Sequence, residues 1–111
     1  MGLFSKKQII DINQGVHDFN NEKGAVLVDV RTQEEYREGH IPNSKNVPLH
    51  LMDDIVHVAK QKETPLYIYC KSGKRSSQAE RELKKLGYYN IKNLGGIHSY
   101  GGRIVRLTVT N

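Results

Sequence analysis

The sequence predicts an α/β fold in which a central, mostly parallel β-sheet carries helices on both faces. Three observations lead to this prediction. Strand-like stretches alternate with helix-like stretches, the turns between them are short and polar, and two of the strand-like stretches are uninterrupted apolar runs. Apolar runs of this kind are typical of strands buried on both faces of a parallel sheet.

The first predicted elements lead to a central strand. The isoleucines within residues 9–12 predict a short opening strand, and Asn13 is expected to cap a helix that runs to about Asn20. A Lys-Gly pair then interrupts the helical pattern. Residues 25–30 form a continuous, partly β-branched apolar run, which predicts the central strand.

A helix start signal follows this strand. Thr32 and Glu35 match the capping box, which predicts a short helix that Gly39 ends. After a turn, residues 46–48 are expected to add a brief strand. Apolar residues at helical spacing then predict a helix over residues 51–62.

The second half of the chain repeats the strand and helix alternation. Residues 65–70 predict a second buried strand, residues 76–86 a helix closed by Gly87, and residues 91–94 a last strand. In residues 103–111 apolar side chains are spaced among polar ones, so we expect an extended segment there rather than a helix.

Length and composition limit the class of protein. The 111 residues fit one domain, since domains typically have about 100–200 residues, and we predict a single domain over residues 1–111. No apolar run approaches the roughly 18–20 residues that a membrane-spanning helix needs. Charged residues make up 26% of the chain, an ordinary share, so the sequence does not predict disorder, a coiled coil or a transmembrane segment.

The chain has one cysteine, Cys70, which excludes an internal disulfide and suits a reducing compartment. Residues 1–7 lack the long apolar segment and the small-residue cleavage site of a secretory signal. We therefore expect a cytoplasmic protein with no membrane partner.

Positive charge is concentrated in one part of the chain. The formal net charge is +5, and residues 60–85 contain eight basic and three acidic side chains. Such a field attracts anions, although a solvated helix face would have a similar composition. We expect no nucleic-acid partner, because these basic residues are not interleaved with aromatic ones and no nucleic-acid motif is present.

Residues 70–76 form the most informative motif, a loop between a predicted strand and a predicted helix. Ligands bind at this edge of open α/β sheets. Backbone N–H groups and the helix N-terminus could surround a small anion, and Gly73 permits the positive φ that such a ring requires. Nearby positive charge comes from Lys71, Lys74 and Arg75. Cys70 would then be largely a thiolate and a nucleophile, whereas the alternative is a cysteine that only packs in the core.

Four segments of the chain stand out together, and they are residues 27–36, 39–48, 70–76 and 93–100. Each segment alone is a modest signal. In this order and at these spacings, the four together resemble the single-domain rhodaneses of the thiosulfate sulfurtransferase type. The resemblance covers residues 25–100 and leaves residues 101–111 as a tail of uncertain structure.

This resemblance implies a role for each residue of the loop. Cys70 would take a sulfane sulfur from thiosulfate or a similar donor, become a persulfide and pass the sulfur to cyanide or a thiol. The amides from Lys71 through Arg75, those of Ser72, Gly73 and Lys74 included, would hold the terminal sulfur and the anion. No metal or organic cofactor is implied. The implied partners are a small anionic sulfur donor and a thiol acceptor, with a sulfur-relay protein as an alternative donor.

Two further residues lie near the same sheet edge. Asp29 and Arg31 close the central strand, and we expect them to form an internal ion pair that braces the loop, with direct substrate contact as the alternative. His40 could form a Cys–His dyad with Cys70, but the resemblance implies that its Gly-His-Ile-Pro turn, residues 39–42, is structural, and we expect that role instead. The remaining histidines lack metal-ligand spacing with the lone cysteine and are expected to be surface or packing residues.

Two other functions use a similar domain or loop. Cysteine-loop phosphatases and arsenate reductases carry five residues between cysteine and arginine, whereas four separate Cys70 from Arg75, which favours a smaller pocket. A non-catalytic protein-binding module with the same fold usually lacks the cysteine. The chain departs from the family at Asn43, which replaces a glycine and tolerates left-handed φ, and in the tail, which replaces a helix and leaves self-association through an exposed strand edge open.

Overall fold

The computed structural model describes residues 9–107. The N-terminal segment inspected for a secretory signal, and residues 108–111 of the predicted tail, lie outside the described residues. The α-helices are α1 (Ile12–Asn20), α2 (Gln33–Glu38) and α3 (Lys74–Lys85), and the strands are β1 (Val26–Asp29), β2 (Ser44–Asn46), β3 (Leu66–Cys70) and β4 (Ile91–Gly96). Two 3-10 segments, Leu49–His57 and Ile97–Ser99, complete the described elements.

The strands form one parallel sheet in the order β2-β1-β3-β4, with β1 and β3 in the centre. Alternate side chains of β3 point to opposite faces, where Ile68 packs against one core and Tyr67 and Tyr69 against another. The first core joins α3 and the 3-10 segment Leu49–His57, and the second joins α1. The predicted α/β fold, with a parallel sheet and helices on both faces, is confirmed.

The predicted opening strand and the cap at Asn13 are wrong. Asp11 caps α1 instead, because its side chain accepts a hydrogen bond from the Asn13 backbone N–H at 2.9 Å, so Asn13 lies inside the helix. The Ile10 backbone N–H donates to the Asn93 carbonyl at 2.9 Å, an isolated contact outside the sheet ladder. Ile12 and Val16 lie one helical turn apart and are buried, which gives α1 its apolar face.

The capping box at the start of α2 is confirmed. The Glu35 backbone N–H donates to Thr32 Oγ1 at 3.2 Å, and the Thr32 backbone N–H donates to the Glu35 carboxylate at 2.9 Å. Gly39 ends this helix as predicted. Asn43 has a φ of 70°, a left-handed conformation that asparagine tolerates better than most non-glycine residues.

Several element boundaries differ from the prediction. The brief strand lies at Ser44–Asn46 rather than at residues 46–48, and Pro48 has no N–H to extend it. The predicted helix over residues 51–62 is the 3-10 segment Leu49–His57, which is interrupted by a non-helical conformation at Leu51. Helix α3 begins at Lys74 rather than at residue 76, since Gly73 supplies the left-handed turn directly before it.

The part of the tail that the structure describes has no helix. Its Val105 pairs with His40 in an isolated antiparallel bridge, and the Leu107 N–H donates to the Arg37 carbonyl at 3.0 Å. The tail therefore runs as an extended segment beside the end of α2. Within residues 9–107, the helices are all too short or too polar to traverse a membrane.

Candidate active site

Cys70 ends β3 at the carboxyl edge of the sheet, and its sulfur lies inside the loop that enters α3. The Gly73 backbone N–H donates to Cys70 Sγ at 3.0 Å, and the Ser76 backbone N–H donates to the same atom at 3.2 Å. Gly73 has a φ of 103°, which turns its amide inward at low conformational cost. The cysteine is fully buried, at 0% exposure. These two amides point toward Sγ, so the sulfur has polar donors although its neighbours on the sheet are apolar.

The loop contains further backbone amides without a protein acceptor. In the described part of the chain, the N–H groups of Ser72, Lys74 and Arg75 donate to no protein atom. The Ser76 hydroxyl donates to the Gly73 carbonyl at 3.1 Å and ties the end of the loop to the first turn of α3. These N–H groups of the loop are therefore available to donate hydrogen bonds to a bound anion.

The loop's three basic side chains have different surroundings. Lys71 and Lys74 are exposed, and neither lies within 4.0 Å of a carboxylate of the described residues. Arg75 instead binds Glu35 of α2 through two hydrogen bonds of 2.6 and 3.0 Å. This bonding holds the pKa of Glu35 at about 2 and raises the pKa of Arg75 above its ordinary value. The Arg75 charge is thus shared with a carboxylate, while the two lysines face solvent.

Asp29 and Arg31 form a buried ion pair at the end of β1. The guanidinium donates to both carboxylate oxygens, the shortest bond being 2.7 Å, and also to the Gly39 carbonyl at 2.6 Å. Although burial alone would lower the pKa of Arg31, hydrogen bonding to Asp29 and the charge of that carboxylate raise it. This geometry matches the expected internal brace, which ties the end of β1 to the end of α2.

The glycines at the end of β4 lie against the cysteine loop. Gly96 is paired with Cys70 in the sheet, and a Cβ added at Gly96 would overlap the Lys71 carbonyl oxygen and lie 2.8 Å from the Ser72 Cα. His98 follows in the second 3-10 segment, and its Nδ1 lies 2.7 Å from the Lys71 carbonyl oxygen. A cleft of about 260 Å³ opens at this point, lined by Arg31, Glu35, Glu38, Lys71, Ile97 and His98.

The residues named from the sequence, Cys70 and Lys71 to Arg75, form one loop at the end of β3, and Arg31 lines the same cleft as Lys71. Four contributors were not predicted as site residues. These are the Ser76 amide on the sulfur, the Glu35 carboxylate on Arg75, the close approach of Gly96 and the His98 contact. The predicted last strand, residues 91–94, extends to Gly96 in the structure, so the sequence did not indicate the close approach of Gly96 to the loop. The start of α3 at Lys74 places the Ser76 amide in the first turn of that helix.

His40 occupies a structural position. Its ring stacks on Tyr36 with centroids 3.7 Å apart, and its Nδ1 lies 2.7 Å from the Tyr36 carbonyl oxygen. The contact fits the structural role expected from the turn. Within residues 9–107, no group of three or more His, Cys, Asp or Glu side chains is placed to hold a metal ion.

Solved structures share this fold. The E. coli structure described as a rhodanese with anions superposes with a TM-score of 0.69 at 29% identity, over 74% of this chain and 98% of that one. A Pseudomonas aeruginosa thiosulfate sulfurtransferase gives a TM-score of 0.80 over 92% of this chain and 21% of that one, but at 18% identity it supports the fold alone.

Sequence relatives include proteins named as sulfurtransferases. The thiosulfate sulfurtransferase PspE of Escherichia coli is 32% identical over 63% of this chain and 68% of its own length, and a sulfurtransferase of Allochromatium vinosum is 39% identical over 64% and 65%. An adenylyltransferase and sulfurtransferase of Ogataea parapolymorpha is 34% identical over 85% of this chain, which spans 24% of that longer protein. The chain spans 64% of the uncharacterized protein YqhL of Bacillus subtilis.

A family model described as "Rhodanese-like domain" matches residues 13–102, which is most of the chain. This match includes β1, the cysteine loop and the glycine pair of β4, the segments on which the resemblance in the sequence was based. The resemblance is thereby confirmed, and the chain belongs to the Rhodanese-like domain family.

Proposed function

We propose that this chain is a sulfurtransferase of the rhodanese type, which moves a sulfane sulfur from an anionic donor such as thiosulfate to a thiophilic acceptor through a persulfide on Cys70. The observation that carries the proposal is the convergence of the Gly73 and Ser76 amides on Cys70 Sγ, at 3.0 and 3.2 Å. Amide donors and the start of α3 stabilise negative charge on that sulfur. The thiolate is the form of cysteine that acts as a nucleophile.

The proposed reaction has two displacement steps. In the first, the Cys70 thiolate attacks the outer sulfur of thiosulfate, a bond forms between Sγ and that sulfur, and the bond to the sulfonyl sulfur breaks so that sulfite leaves with the electron pair. In the second, cyanide or a thiolate attacks the outer sulfur of the persulfide, and Cys70 leaves as the thiolate. Neither step requires a proton transfer when the thiol is already ionised, so no general base is needed.

The amides without a protein acceptor support the first step. Donors at Ser72, Lys74 and Arg75 are available to the persulfide sulfur and to the sulfite oxygens, where negative charge is redistributed as the bond breaks. Fixed dipoles of this kind need no reorganisation during the reaction. The exposed Lys71 and Lys74 would raise the local concentration of a dianionic donor.

The loop length supports sulfur transfer over phosphate chemistry. Four residues separate Cys70 from Arg75, one fewer than in phosphatase and arsenate reductase loops, and the two amide bonds already close on one sulfur atom. The Arg75 guanidinium is bound to Glu35 rather than turned to an oxyanion. A non-catalytic binding module is the second candidate function. The presence of Cys70 and of the amides on its sulfur argues against it, because such modules usually lack the cysteine.

Steady-state assays test the proposal. Transfer of sulfur from thiosulfate to cyanide should be measurable for the wild type and absent for Cys70→Ser, while hydrolysis of an aryl phosphate should stay at background for both proteins. Phosphate release above background that depends on Cys70 would overturn the proposal. A folded wild-type protein that transfers no sulfur and hydrolyses no aryl phosphate would favour the binding-module function.

The biological setting follows from the same chemistry. A single free thiol that must stay reduced between turnovers suits the cytoplasm, and we place the protein there. A small anionic sulfur donor and a thiol acceptor are the partners proposed for the site. A persulfide-bearing relay protein would use the same pocket, since the sulfur it offers is transferred to the same thiolate. We also propose that the chain is a single domain over residues 1–111.

A further inference from the structure

We infer that His98 is a positioning residue of the sulfur-transfer site, an inference that rests on the proposed function. By holding the Lys71 carbonyl on the outside of the cysteine loop, His98 aims the Ser72 amide at the sulfur that Cys70 accepts. The observation behind it is the 2.7 Å separation between His98 Nδ1 and the Lys71 carbonyl oxygen.

The geometry of a trans peptide links these two groups. A carbonyl and the N–H of the same peptide unit point in opposite directions, and the described residues contain no cis peptide bond. The Lys71 carbonyl faces His98 and the backbone of Gly96. The Ser72 N–H therefore points away from β4, and it has no protein acceptor among the described residues.

His98 acts on this peptide as a donor. A carbonyl oxygen only accepts hydrogen bonds, so Nδ1 must carry a proton, in either the neutral Nδ1–H tautomer or the cation. Its function is orientation, because the imidazole contacts the carbonyl of this peptide, while the N–H at the opposite edge of the same peptide has no acceptor among the described residues.

The Cys70 sulfur in its resting form does not depend on this peptide. Its hydrogen bonds come from Gly73 and Ser76, and neither of these amides belongs to the peptide unit that His98 holds. Loss of the His98 contact should slow the step in which a second sulfur is added and charge is redistributed. It should leave the reactivity of the bare thiolate close to that of the wild type.

The experiment compares three substitutions in the full chain. His98→Asn keeps an N–H donor at the same number of bonds from the backbone as Nδ1, His98→Leu removes it, and His57→Leu is a matched control at an exposed histidine outside the site. The rate of persulfide formation on Cys70 with thiosulfate is followed by intact mass. The rate of alkylation of Cys70 by iodoacetamide is measured in parallel, and thermal unfolding verifies that each variant is folded.

His98→Leu is expected to slow persulfide formation by about five- to tenfold, with alkylation within about twofold of the wild type. His98→Asn and His57→Leu should form persulfide within about twofold of the wild-type rate. In ¹⁵N–¹H spectra, the Ser72 amide proton should move downfield on sulfur loading in the wild type and in His98→Asn, but not in His98→Leu.

The two proposals fail in different ways. A wild type that gains no sulfur would overturn the sulfurtransferase function itself. Two outcomes in which the wild type gains sulfur normally would overturn only the role of His98. In the first, His98→Leu gains sulfur as fast as the wild type. In the second, His98→Asn and His98→Leu slow persulfide formation equally. Equal slowing of loading and alkylation in His98→Leu would also overturn it, because the whole loop would then have lost its shape.

Discussion

The Arg75 guanidinium and the Glu35 carboxylate join the start of α3 to the start of α2 through two hydrogen bonds of 2.6 and 3.0 Å. Glu35 also accepts from the Thr32 backbone N–H at 2.9 Å, so one carboxylate serves both a helix cap and a tertiary ion pair. Both side chains are partly exposed, at 32% and 26%. The pair fixes the cysteine loop to the neighbouring helix and reduces the positive charge that Arg75 presents.

The Arg75 and Glu35 pair should make the free energy of unfolding depend on pH. The pKa of Glu35 is lowered from 4.5 to about 2, chiefly by hydrogen bonding to Arg75. A lowered folded-state pKa means that the stabilisation is fully present above about pH 4.5 and is lost as the pH falls toward about 2. Glu35→Gln, which can keep the capping box, should lower the free energy of unfolding by about 1–2 kcal/mol at pH 7, a value reduced for solvent screening.

Urea unfolding at a series of pH values measures this effect. The difference between wild type and Glu35→Gln should be constant from pH 5 to 7 and shrink below about pH 4.5. Glu34→Gln, an exposed change in the same helical turn, should cost less than about 0.5 kcal/mol throughout. A Glu35→Gln difference that is the same at pH 3 and pH 7 would show that the ion pair is not its source.

Lys74 should assist capture of an anionic donor, because it is exposed at the mouth of the loop and no carboxylate of the described residues binds it. Lys74→Glu is expected to raise the KM for thiosulfate by roughly three- to tenfold at low ionic strength. The effect should diminish above about 0.15 M salt, where the Debye length is about 8 Å.

Lys60→Glu provides the charge-matched control, since Lys60 is an exposed residue of another loop. Steady-state kinetics of both variants at low and high salt separate local capture from the effect of net charge. Equal increases of KM in the two variants, or an unchanged KM for Lys74→Glu at low salt, would argue against a local role for Lys74.

Gly96 should be indispensable for the shape of the loop. A Cβ at this position would overlap the Lys71 carbonyl and lie 2.8 Å from the Ser72 Cα, and both are backbone atoms that can move only if the loop moves. Gly96→Ala should lower the free energy of unfolding by about 1–3 kcal/mol, typical of overpacking, and slow persulfide formation at least tenfold.

Gly101→Ala is the matched control, because its Cβ would lie 3.7 Å from Asn13 Oδ1 in ordinary contact. Its stability and loading rate should stay close to those of the wild type. Should Gly96→Ala load sulfur at the wild-type rate, the loop would not depend on the close approach of β4.

The sequence predicted the features that depend only on residues close to each other along the chain. The capping box at Thr32 and Glu35 and the turn at Gly73 are local, and both are present. The ion pair between Glu35 and Arg75 joins residues 40 apart, and no periodicity indicates such a partner. The cap of α1 was misplaced because Asp11 and Asn13 are both good capping residues, and only the packing of Ile12 selects between them.

The buried pair of Asp29 and Arg31 should contribute strongly to stability when one partner is removed. The Asp29 side chain is fully buried and that of Arg31 is 8% exposed, so Asp29→Asn leaves a buried guanidinium without its counter-charge. We expect a loss of about 3 kcal/mol in the free energy of unfolding, measured in urea. Glu82→Gln, which removes an exposed pair with Lys85, should cost less than about 0.5 kcal/mol, and similar losses in the two variants would contradict the prediction.

Intact-mass measurement after incubation with thiosulfate tests the central claim most directly, because it detects the proposed persulfide itself. The wild type should gain the mass of one sulfur atom, about 32 Da, on Cys70. Brief treatment with cyanide should remove that sulfur, and Cys70→Ser should gain nothing. A folded wild type whose mass is unchanged, or a Cys70→Ser variant that gains the same mass, would contradict sulfur transfer through Cys70.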